Sequence, residues 1–568
     1  MRPTRPSRPS RPDRGARAVL LLALVLVATA GLVPTAGAGA LAAAGPSPAT
    51  PPVEWREGFD GVGDALRPRV SDPGIAPGAV GWTHEGPTGW RVENDASLAG
   101  GGVEEWRGWS FTTREFWTDA EDQMRGRFGR AQDVIAVADS DEFDDVPAPD
   151  HTYDTTLVSP QVRVHRQSSL RLGFDSHYRQ WAGQSATVTV EFDGDGEHVE
   201  LVSYDSTTVA DDYDGRLANA HEAVTFDVPE GARRAVFRWR FTAERNSWYW
   251  AVDNVRLQRA QPAVTGDPTS MWVVSDVQGH PRDLSHGLVD LHAARPDAAA
   301  LLMVGDLVDS GAQPEWDEVD QVMAERAGIR PPQTIAAIGN HERYAPGGWP
   351  VLQQRFLDFA DRDRVWGEYV VRGSGGDVPV LVLGQDAAGP TDVPIGDEQM
   401  AWFRERLQHW TQQRRQVVVA THFPLGDTVS GSWIPWYSEH HQRNDELTEL
   451  LGRHPNVVLL SGHTHYPLEL GDWAVQRRTA GGHPDGFWAV NTGAMHVEWD
   501  ARGESTVGIR EVVTRDVNRG LTIDAYPDRL VVQARDFGVA GPDGGNLVNE
   551  VVREVEIPSP FLARRYGR

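Results

Sequence analysis

Alternation of apolar and polar residues dominates the first part of the chain. Ser185–Phe192 and Ala235–Thr242 alternate residue by residue, and Ser247–Leu257 ends the series. Such alternation is typical of strands with one buried face and one solvent-facing face. Few windows in this part have helical spacing. We therefore predict an antiparallel β-sandwich over residues 55–261.

The pattern changes after Pro262, where continuous apolar runs alternate with amphipathic segments. The predicted strands are 271–275, 299–304, 334–338, 380–383, 416–420 and 457–460, and the predicted helices are 284–294, 316–327, 351–359, 397–410 and 444–453. Apolar strands separated by helices indicate a buried α/β sheet. Later strands, such as 488–491 and 529–534, could complete a second sheet. We place this domain at 268–557 and a short tail at 558–568.

The N-terminus has the order of a secretory signal: arginine-rich, then apolar, then rich in small residues. We predict a signal peptide over residues 1–44, cleaved near Ala40–Ala44, and a linker over 45–54. The alternative is a membrane anchor. However, Gly31 and Pro34 interrupt the apolar run, which is shorter than the roughly 20 residues of a spanning helix. We therefore expect a secreted, extracellular protein without a transmembrane anchor.

Composition and charge narrow the possible partners. A chain of 568 residues is long enough for two or three domains. Its net charge of -27 argues against a nucleic acid or an anionic membrane as a standing partner. A phosphorylated substrate stays possible, because bound cations can reverse the field inside a cleft. The chain has no cysteine, which excludes disulfides and thiolate metal sites.

Five of the predicted strands end in residues that could bind metal ions. These residues are Asp276, Gln278, Asp306, Asn340, His341, His422, His463 and His465. The carboxyl ends of strands in an α/β sheet line the ligand crevice, so the side chains should meet there. Each fragment alone could be an ordinary turn or a structural histidine. The ordered set, with one member or pair at each strand end, is what predicts a site.

The motifs at these strand ends resemble those of the calcineurin-like metallophosphoesterase superfamily. They read Ser-Asp-x-Gln, Gly-Asp-x-x-Asp, Gly-Asn-His-Glu, Thr-His-x-Pro and Gly-His-Thr-His, in that order. The resemblance covers about residues 270–493. It implies an α/β fold with two sheets between helices, an αββα sandwich with a two-metal site at the strand ends. It also implies hydrolysis of phosphomonoesters or phosphodiesters by attack of metal-bound hydroxide.

The same resemblance implies a role for each residue. Asp276, Gln278 and His465 would bind one ion. Asn340, His422 and His463 would bind the other, and Asp306 would bridge both. His341 would not be a ligand but would stabilise or protonate the leaving oxygen. Imidazole and carboxylate ligands suit Mn, Fe or Zn ions and do not choose among them.

Gln278 departs from the family pattern, because many members have His at this position. An amide oxygen is a weaker ligand than imidazole, so the first ion could bind less tightly or be a harder Mn or Fe ion. Asp309 and Glu342 could orient a metal ligand, or could be solvated loop carboxylates. The aromatic segment 433–441 could hold an organic leaving group or could simply pack a long loop.

The N-terminal sandwich resembles bacterial adhesin and MAM-like jelly-roll domains more loosely. The matching segments are Glu57–Gly61, Gly89–Trp90, Leu157–Pro160 and Trp250–Val255. The resemblance implies surface attachment, carbohydrate or partner contact, or simple covering of the enzyme. In such sandwiches the first and last strands can share a structural Ca²⁺, which makes Asp253 a candidate ligand. Alternatively, Asp253 only ends a strand.

Two other functions compete with the enzyme. In one, the protein is a surface binding or adhesion protein, the sandwich is the working module and the phosphoesterase site is inert. In the other, it binds phosphate or metal without turnover. Loss of Asp306, Asn340 or His463 would favour the binding protein, and all three are present. His341 argues against the second alternative, because metal binding alone would not need it.

Overall fold

The computed structural model describes residues 53–146, 152–209, 217–244, 246–260, 265–389, 393–438, 440–502, 511–538 and 549–561. The predicted signal peptide, most of the predicted linker, residue 261 and the end of the predicted tail lie outside these ranges. Within the ranges, no helix combines the length and the apolar character needed to cross a membrane.

The N-terminal region consists of strands with two short helices. The strands are β1 Val53–Glu57, β2 Arg67–Pro68, β3 Val80–Thr83, β4 Arg91–Asn94, β5 Ser110–Thr113, β6 Val134–Asp139, β7 Tyr153–Val158, β8 Val162–Arg163, β9 Ser169–Arg179, β10 Ser185–Phe192, β11 Val199–Tyr204, β12 Leu217–Asp227, β13 Arg234–Ala243 and β14 Tyr249–Arg259, and the helices are α1 Arg114–Ala120 and α2 Ser140–Phe143.

These strands form two antiparallel sheets. One has the order β12-β9-β14-β6-β5-β3-β2, with β1 also paired to β14, and the other has the order β11-β10-β13-β7-β4, with β8 paired to β13. Every second residue of β10 and β13 is buried, as alternation predicts. Their apolar faces pack on those of the other sheet around Phe174, Trp239 and Trp250. The region is the jelly-roll-like sandwich expected from the sequence.

The second region begins with β15. Its strands are β15 Thr269–Val274, β16 Ala300–Val304, β17 Gln333–Ala337, β18 Gly367–Val371, β19 Val378–Val382, β20 Val417–Ala420, β21 Val457–Ser461, β22 Ala474–Arg477, β23 Phe487–Asn491, β24 Val497–Arg502, β25 Glu511–Asp516, β26 Arg519–Ala525, β27 Arg529–Asp536 and β28 Glu550–Pro558. Its helices are α3 Pro281–Ala294, α4 Gln313–Glu325, α5 Trp349–Ala360, α6 Asp397–Gln412, α7 Pro435–Ser438 and α8 Asn444–Gly452.

In the described part of the chain, two six-stranded sheets form the centre of this region. The first has the order β17-β16-β15-β26-β27-β28 and the second the order β18-β19-β20-β21-β23-β22. Strands β15 to β17 run parallel to one another, as do β19, β20, β21 and β23. Strands β24 and β25 form a separate two-stranded ribbon.

The two sheets face each other, and helices cover their outer faces. Residues of both sheets share one inner core that includes Val273, Val458 and Leu521. Helices α3 to α5 pack on the outer face of the first sheet, and α6 and α8 pack on the second. Because both faces are covered, every residue of β15, β16, β20 and β21 is buried. This is the expected αββα sandwich.

The late strands divide between the sheets, whereas the sequence suggested that 488–491 and 529–534 together complete the second sheet. Strand β23 pairs with β21 in the second sheet, whereas β27 lies in the first sheet. The reason is that β26 pairs antiparallel with β15 and β27 extends from β26. The chain thus returns to the first sheet to complete it, while predicted strands 380–383, 416–420 and 457–460 build the second.

Candidate metal centre

The carboxyl ends of five strands meet at one edge of the two sheets. They bring together seven residues, which we call the strand-end cluster: Asp276, Gln278, Asp306, Asn340, His422, His463 and His465. Asp276 and Gln278 follow β15, Asp306 follows β16 and Asn340 follows β17, all in the first sheet. His422 follows β20, and His463 and His465 follow β21, in the second sheet.

Within the strand-end cluster, potential ligand atoms lie at contact distance. His465 Nε2 lies 3.0 Å from Asp276 Oδ1, and His422 Nε2 lies 3.1 Å from Asp306 Oδ2. Asn340 Oδ1 is 3.2 Å from His422 Nε2. Ligand atoms with bonds of 2.0–2.2 Å to one ion are about 2.8–3.6 Å apart, from octahedral to tetrahedral angles. The spacing therefore fits ligands that converge on a cation.

The charged and imidazole ligands fall into two groups that share Asp306. One group is Asp306, His422 and His463, and the other is Asp276, Asp306 and His465; the ligand atoms within each group lie within 4.8 Å of one another. A carboxylate has two oxygens and can serve two ions at once. The arrangement therefore offers one group of ligands on each side of the Asp306 carboxylate, enough for one ion on each side.

Backbone conformation at the strand-end cluster is unusual. Asp276, Gln278, Asp306, His463 and His465 all have positive φ, between 45° and 69°. This left-handed region costs energy for residues other than glycine, and such strain concentrates at functional sites. Here the left-handed residues turn the chain after β15, β16 and β21.

Glycines leave the space in which the two carboxylates sit. A Cβ on Gly339 would lie 2.2 Å from Asp306 Oδ1, and a Cβ on Gly462 would lie 2.3 Å from Asp276 Oδ2. Neither distance is compatible with a real side chain. The close approach of backbone to each carboxylate explains why the sequence has glycine at both positions.

Backbone carbonyls fix the orientation of three imidazoles. His422 Nδ1 donates to Val304 O at 2.9 Å, His465 Nδ1 donates to Val497 O at 2.7 Å, and His341 Nδ1 donates to Asp309 O at 2.7 Å. A carbonyl can only accept, so Nδ1 carries the proton in each ring. Each Nε2 is thereby turned towards the strand-end cluster, as in metal-ligating histidines.

Electrostatics couples the carboxylates to the histidines. Burial lowers the pKa of His422, but Asp306 and Asp276 outweigh it and raise this pKa to about 9. Burial raises the pKa of Asp306, but His422 and His341 reverse the effect and hold it below its usual value. A proton on His422 Nε2 and a bound cation compete for the same lone pair, so cation binding would release protons.

Gln278 faces the same space with its side-chain amide. Its Nε2 lies 3.0 Å from His465 Nε2 and 3.3 Å from Asp306 Oδ2. Rotation of the amide by 180° exchanges its oxygen and nitrogen, and the oxygen then faces the neighbours that Nε2 contacts. Gln278 can therefore contribute a neutral oxygen ligand.

Glu342 and Asp309 differ in their surroundings. Glu342 is fully buried and accepts hydrogen bonds from the backbone N–H groups of Asp306, Leu307 and Gly339. Burial and the nearby Asp306 raise its pKa to about 7. It therefore holds the turn that carries Asp306. The Asp309 side chain is 67% exposed, with Oδ1 3.7 Å from His341 Nδ1.

His341 stands at the border between the strand-end cluster and solvent. Its side chain is 22% exposed, and its Nε2 lies 3.8 Å from Asp306 Oδ2. Its backbone N–H donates to Asp306 Oδ1 at 2.9 Å. A molecule that enters from solvent towards Asp306 would therefore meet the His341 ring.

Some neighbours of the strand-end cluster could not be assigned from the sequence. His440 Nδ1 lies 3.0 Å from His463 Nε2, Tyr344 accepts at its OH from Asn340 Nδ2 at 2.7 Å, and Trp499 stacks on His465 with centroids 4.1 Å apart. His440, Tyr344 and Trp499 lie outside the five strand-end motifs, so the motifs did not identify them. Only His440 was within a segment that the sequence marked, the aromatic stretch 433–441.

Other residues near the strand-end cluster mainly support loops. Gln385 is buried and donates to Gly339 O at 2.9 Å, and Asp386 accepts from Gly396 N at 3.0 Å. Trp433 and Tyr437 are buried in a small apolar cluster. Tyr437 also lies 5.2 Å from the His463 ring, so this cluster borders the site as well as packing the loop.

Asp253, the candidate Ca²⁺ ligand of the sandwich, is fully buried in β14. It accepts from the Gln132 and Asn254 N–H groups, and Arg478 of the second region lies 3.3 Å from its Oδ2. Arg478 also pairs with Asp60 at 3.3 Å. A side-chain cation thus stands beside Asp253, and the Ca²⁺ site remains a prediction.

The sandwich contacts the loop that follows His422. Arg114 donates to Asp427 Oδ2 at 2.9 Å, and the Arg127 guanidinium lies 5.7 Å from the centre of the Trp433 ring. A Cβ on Gly129 would lie 3.2 Å from Thr428 O. The two regions are therefore in direct contact next to the strand-end cluster.

Part of the second region matches a family model. Residues 269–467 match the family model described as calcineurin-like phosphoesterase. No protein among those of curated function matches the chain.

The solved structures to which this chain is similar share little sequence with it. A purple acid phosphatase from yellow lupin (Lupinus luteus) is 12% identical over 75% of this chain and 82% of its own, with a TM-score of 0.35. PhoD is 11% identical over 73% of this chain and 88% of its own, with a TM-score of 0.34. A cleaved adhesin domain of Lys-gingipain from Porphyromonas gingivalis W83 is 16% identical over 36% and 98%, with a TM-score of 0.22.

Proposed function

We propose that the protein is a secreted two-metal hydrolase of phosphomonoesters or phosphodiesters, with its catalytic domain over the residues that match the calcineurin-like phosphoesterase model, 269–467. The family accounts for the coarser part of this statement, a metal-dependent phosphoric ester hydrolase. The two ions, their ligands, the role of His341 and secretion are our proposals.

The observation that carries the proposal is the shared position of Asp306. It belongs to both ligand groups of the strand-end cluster, and it is almost fully buried. We assign Asp276, Gln278 and His465 to one ion, and Asn340, His422 and His463 to the other. Two buried carboxylates that face imidazole and amide groups are the donor set expected for Mn, Fe or Zn ions.

The cations, when bound, would supply Lewis-acid polarisation of the phosphoryl oxygens and a water made nucleophilic at neutral pH. The protein would position the ligand side chains. Glu342 holds the backbone turn of Asp306, and Val304 O and Val497 O hold the His422 and His465 rings. These contacts keep the ligands fixed before substrate arrives.

His341 is placed to act on the leaving group. Its Nδ1 proton is engaged by Asp309 O, which leaves Nε2 facing the entrance to the strand-end cluster. In this position a protonated Nε2 would donate to the oxygen on which negative charge develops as the ester bond breaks. The neighbouring ring of Tyr344, with its centroid 5.0 Å away, limits the movement of the imidazole.

The direct test is hydrolysis of a chromogenic phosphomonoester and phosphodiester by the purified protein, before and after chelation. We expect turnover of at least one ester, loss of turnover when the ions are removed, and recovery with Mn²⁺ or Zn²⁺. A metal-loaded protein that hydrolyses neither ester would contradict the proposal. That result would favour the binding protein, with Gln278 as the first residue to replace by His.

Secretion rests on the order of arginine-rich, apolar and small residues within positions 1–44. N-terminal sequencing of the protein recovered from the medium of an expressing culture tests it. We expect the mature chain to begin near Ala40–Ala44. A chain that stays inside the cell with residues 1–44 intact would contradict secretion.

A further inference from the structure

A second group of potential ligands lies beside the strand-end cluster and shares no residue with it. His280, Asp283 and His496, which we call the rim triad, place three ligand atoms within 4.8 Å of one another. His280 Nδ1 lies 3.6 Å from Asp283 Oδ2. The His280 and His496 rings are nearly parallel, with centroids 3.5 Å apart.

Helix capping and hydrogen bonding do not account for the two histidines of the rim triad. His280 is the residue before α3, yet its side chain makes no capping hydrogen bond to the helix. His496 Nδ1 is buried and has no hydrogen-bond partner among the described residues. A buried polar atom without a partner is costly, and such atoms in native proteins often mark a place where an ion or water binds.

We propose that the rim triad binds one divalent transition-metal ion, separate from the two ions of the strand-end cluster. Two imidazoles and one carboxylate are a common ligand set for Zn²⁺, Mn²⁺ or Fe²⁺, and they leave coordination positions open. The 3.6 Å between His280 Nδ1 and Asp283 Oδ2 is close to the spacing of two ligand atoms on one ion. One of the two stacked imidazoles must turn for both lone pairs, which lie in the ring planes, to meet at the ion.

The elements that carry the triad are well fixed. Asp283 lies in the first turn of α3 and is buried, and its backbone N–H donates to His280 O at 3.0 Å. Asn518 Nδ2 donates to Asp283 O at 2.8 Å, which ties the start of α3 to the region just before β26. His496 lies between Met495, whose N–H contacts Ser275 O, and β24.

The open positions of the rim ion would face solvent next to the catalytic entrance. The His280 side chain is 44% exposed. Asp309 lies beside this turn, because a Cβ on Gly279 would lie 3.1 Å from Asp309 Cβ. His496 precedes Val497, whose carbonyl orients His465. An ion here could therefore hold water or an anionic oxygen of a ligand at the edge of the main site.

The test counts ions in protein whose strand-end cluster is disabled, so it does not depend on turnover. An Asp306→Asn/His463→Ala variant is dialysed against Zn²⁺ or Mn²⁺, and bound metal is measured by mass spectrometry. We expect one ion per chain, and none after His280→Ala and His496→Ala are added. The matched control is His198→Ala, an exposed histidine of the sandwich, which should keep the ion.

A second measurement covers the case in which that variant does not fold. Wild-type protein loaded with Co²⁺ is compared with a His496→Gln variant by metal content and by visible absorption. We expect one fewer Co²⁺ per chain and a change in the absorption bands. The same Co²⁺ content in both proteins, or retention of the ion after His280→Ala/His496→Ala, would overturn the rim site. Neither result would bear on the hydrolase proposal, which turnover tests.

Discussion

The two regions of the chain both bury carboxylates, but they balance the negative charge with different groups. In the sandwich, fully buried Arg125 lies 2.9 Å from Asp139 Oδ2 and 3.1 Å from Glu142 Oε1. In the strand-end cluster, buried Asp276 and Asp306 face imidazoles at 3.0 and 3.1 Å. Arginine is always charged, whereas imidazole can be neutral and can bind a metal ion.

This difference separates a structural ion pair from a potential metal site. A buried carboxylate needs a partner, and arginine supplies a permanent charge and several donors within the protein. Histidines with Nδ1 engaged by carbonyls instead offer a lone pair to an ion. The sandwich pairs should therefore matter for folding, and the strand-end cluster for cation binding and turnover.

The largest effect is expected for Asp306→Asn. This change keeps the shape of the side chain but removes the charge shared by both ligand groups. We expect both ions to be weakened together and turnover to fall by about 10³-fold or more, because the ions supply several kcal/mol of transition-state stabilisation. Metal content and ester hydrolysis measure this. Asp317→Asn, on the exposed side of α4, is the control, and equal losses in both variants would remove the special role of Asp306.

Replacement of Arg125 by Met tests the structural role of the buried ion pairs in the sandwich. It leaves Asp139 and Glu142 buried without their arginine, and we expect a loss of about 3–5 kcal/mol in the free energy of unfolding. The measurement is urea denaturation of the whole chain. Arg67→Met, at an exposed pair with Glu85, should cost about 1 kcal/mol or less.

The folded Arg125→Met protein should keep its bound metal. If it instead loses metal while its stability is unchanged, the division between structural pairs and metal ligands fails.

His341→Ala separates proton transfer from metal binding within the second region. We expect turnover to fall by about 10²-fold while metal content stays the same, with the larger losses on esters that have poor leaving groups. Steady-state rates over a series of leaving groups measure this. His409→Ala, near the end of α6, serves as the control. Wild-type rates across the whole series would show that His341 has a different role.

Gly339→Ala is expected to have the smallest effect of these changes. The added methyl group would displace Asp306, and overpacking of this kind costs about 1–3 kcal/mol. We expect this cost to appear mainly as weaker cation binding, measured by metal titration. Gly328→Ala adds a methyl group where no atom lies within 4 Å, and it should bind metal normally. Equal metal affinities in the two variants would mean that the space between Gly339 and Asp306 can accommodate a methyl group.

The α/β character of the second region could be read from the sequence because its strands and helices have simple periodicities, whereas the two-sheet αββα arrangement was implied by the family resemblance. Helices α6 and α8 begin at the predicted residues, Asp397 and Asn444. The strand-end residues could be found because parallel strands bring their carboxyl ends to one edge, a rule that needs no side-chain detail. The metal-binding roles that we propose for them rest on the family resemblance.

Contacts between distant segments could not be predicted in this way. The pairing of β26 with β15 depends on which sheet edge is open after the preceding strands have formed. Arg478 reaches Asp253 across the boundary between the two regions, and His440 reaches His463 from a loop. The spacing of apolar residues along the chain does not predict such contacts, because they depend on how the folded elements pack together.

Anomalous diffraction from crystals loaded with Mn²⁺ tests the central claim most directly. We predict two peaks in the strand-end cluster, one on each side of the Asp306 carboxylate, with Asp276 and His465 near one and His422 and His463 near the other. We also predict that both peaks are absent from crystals of the Asp306→Asn variant. An active, Mn²⁺-loaded protein with no peak in the cluster would contradict the account.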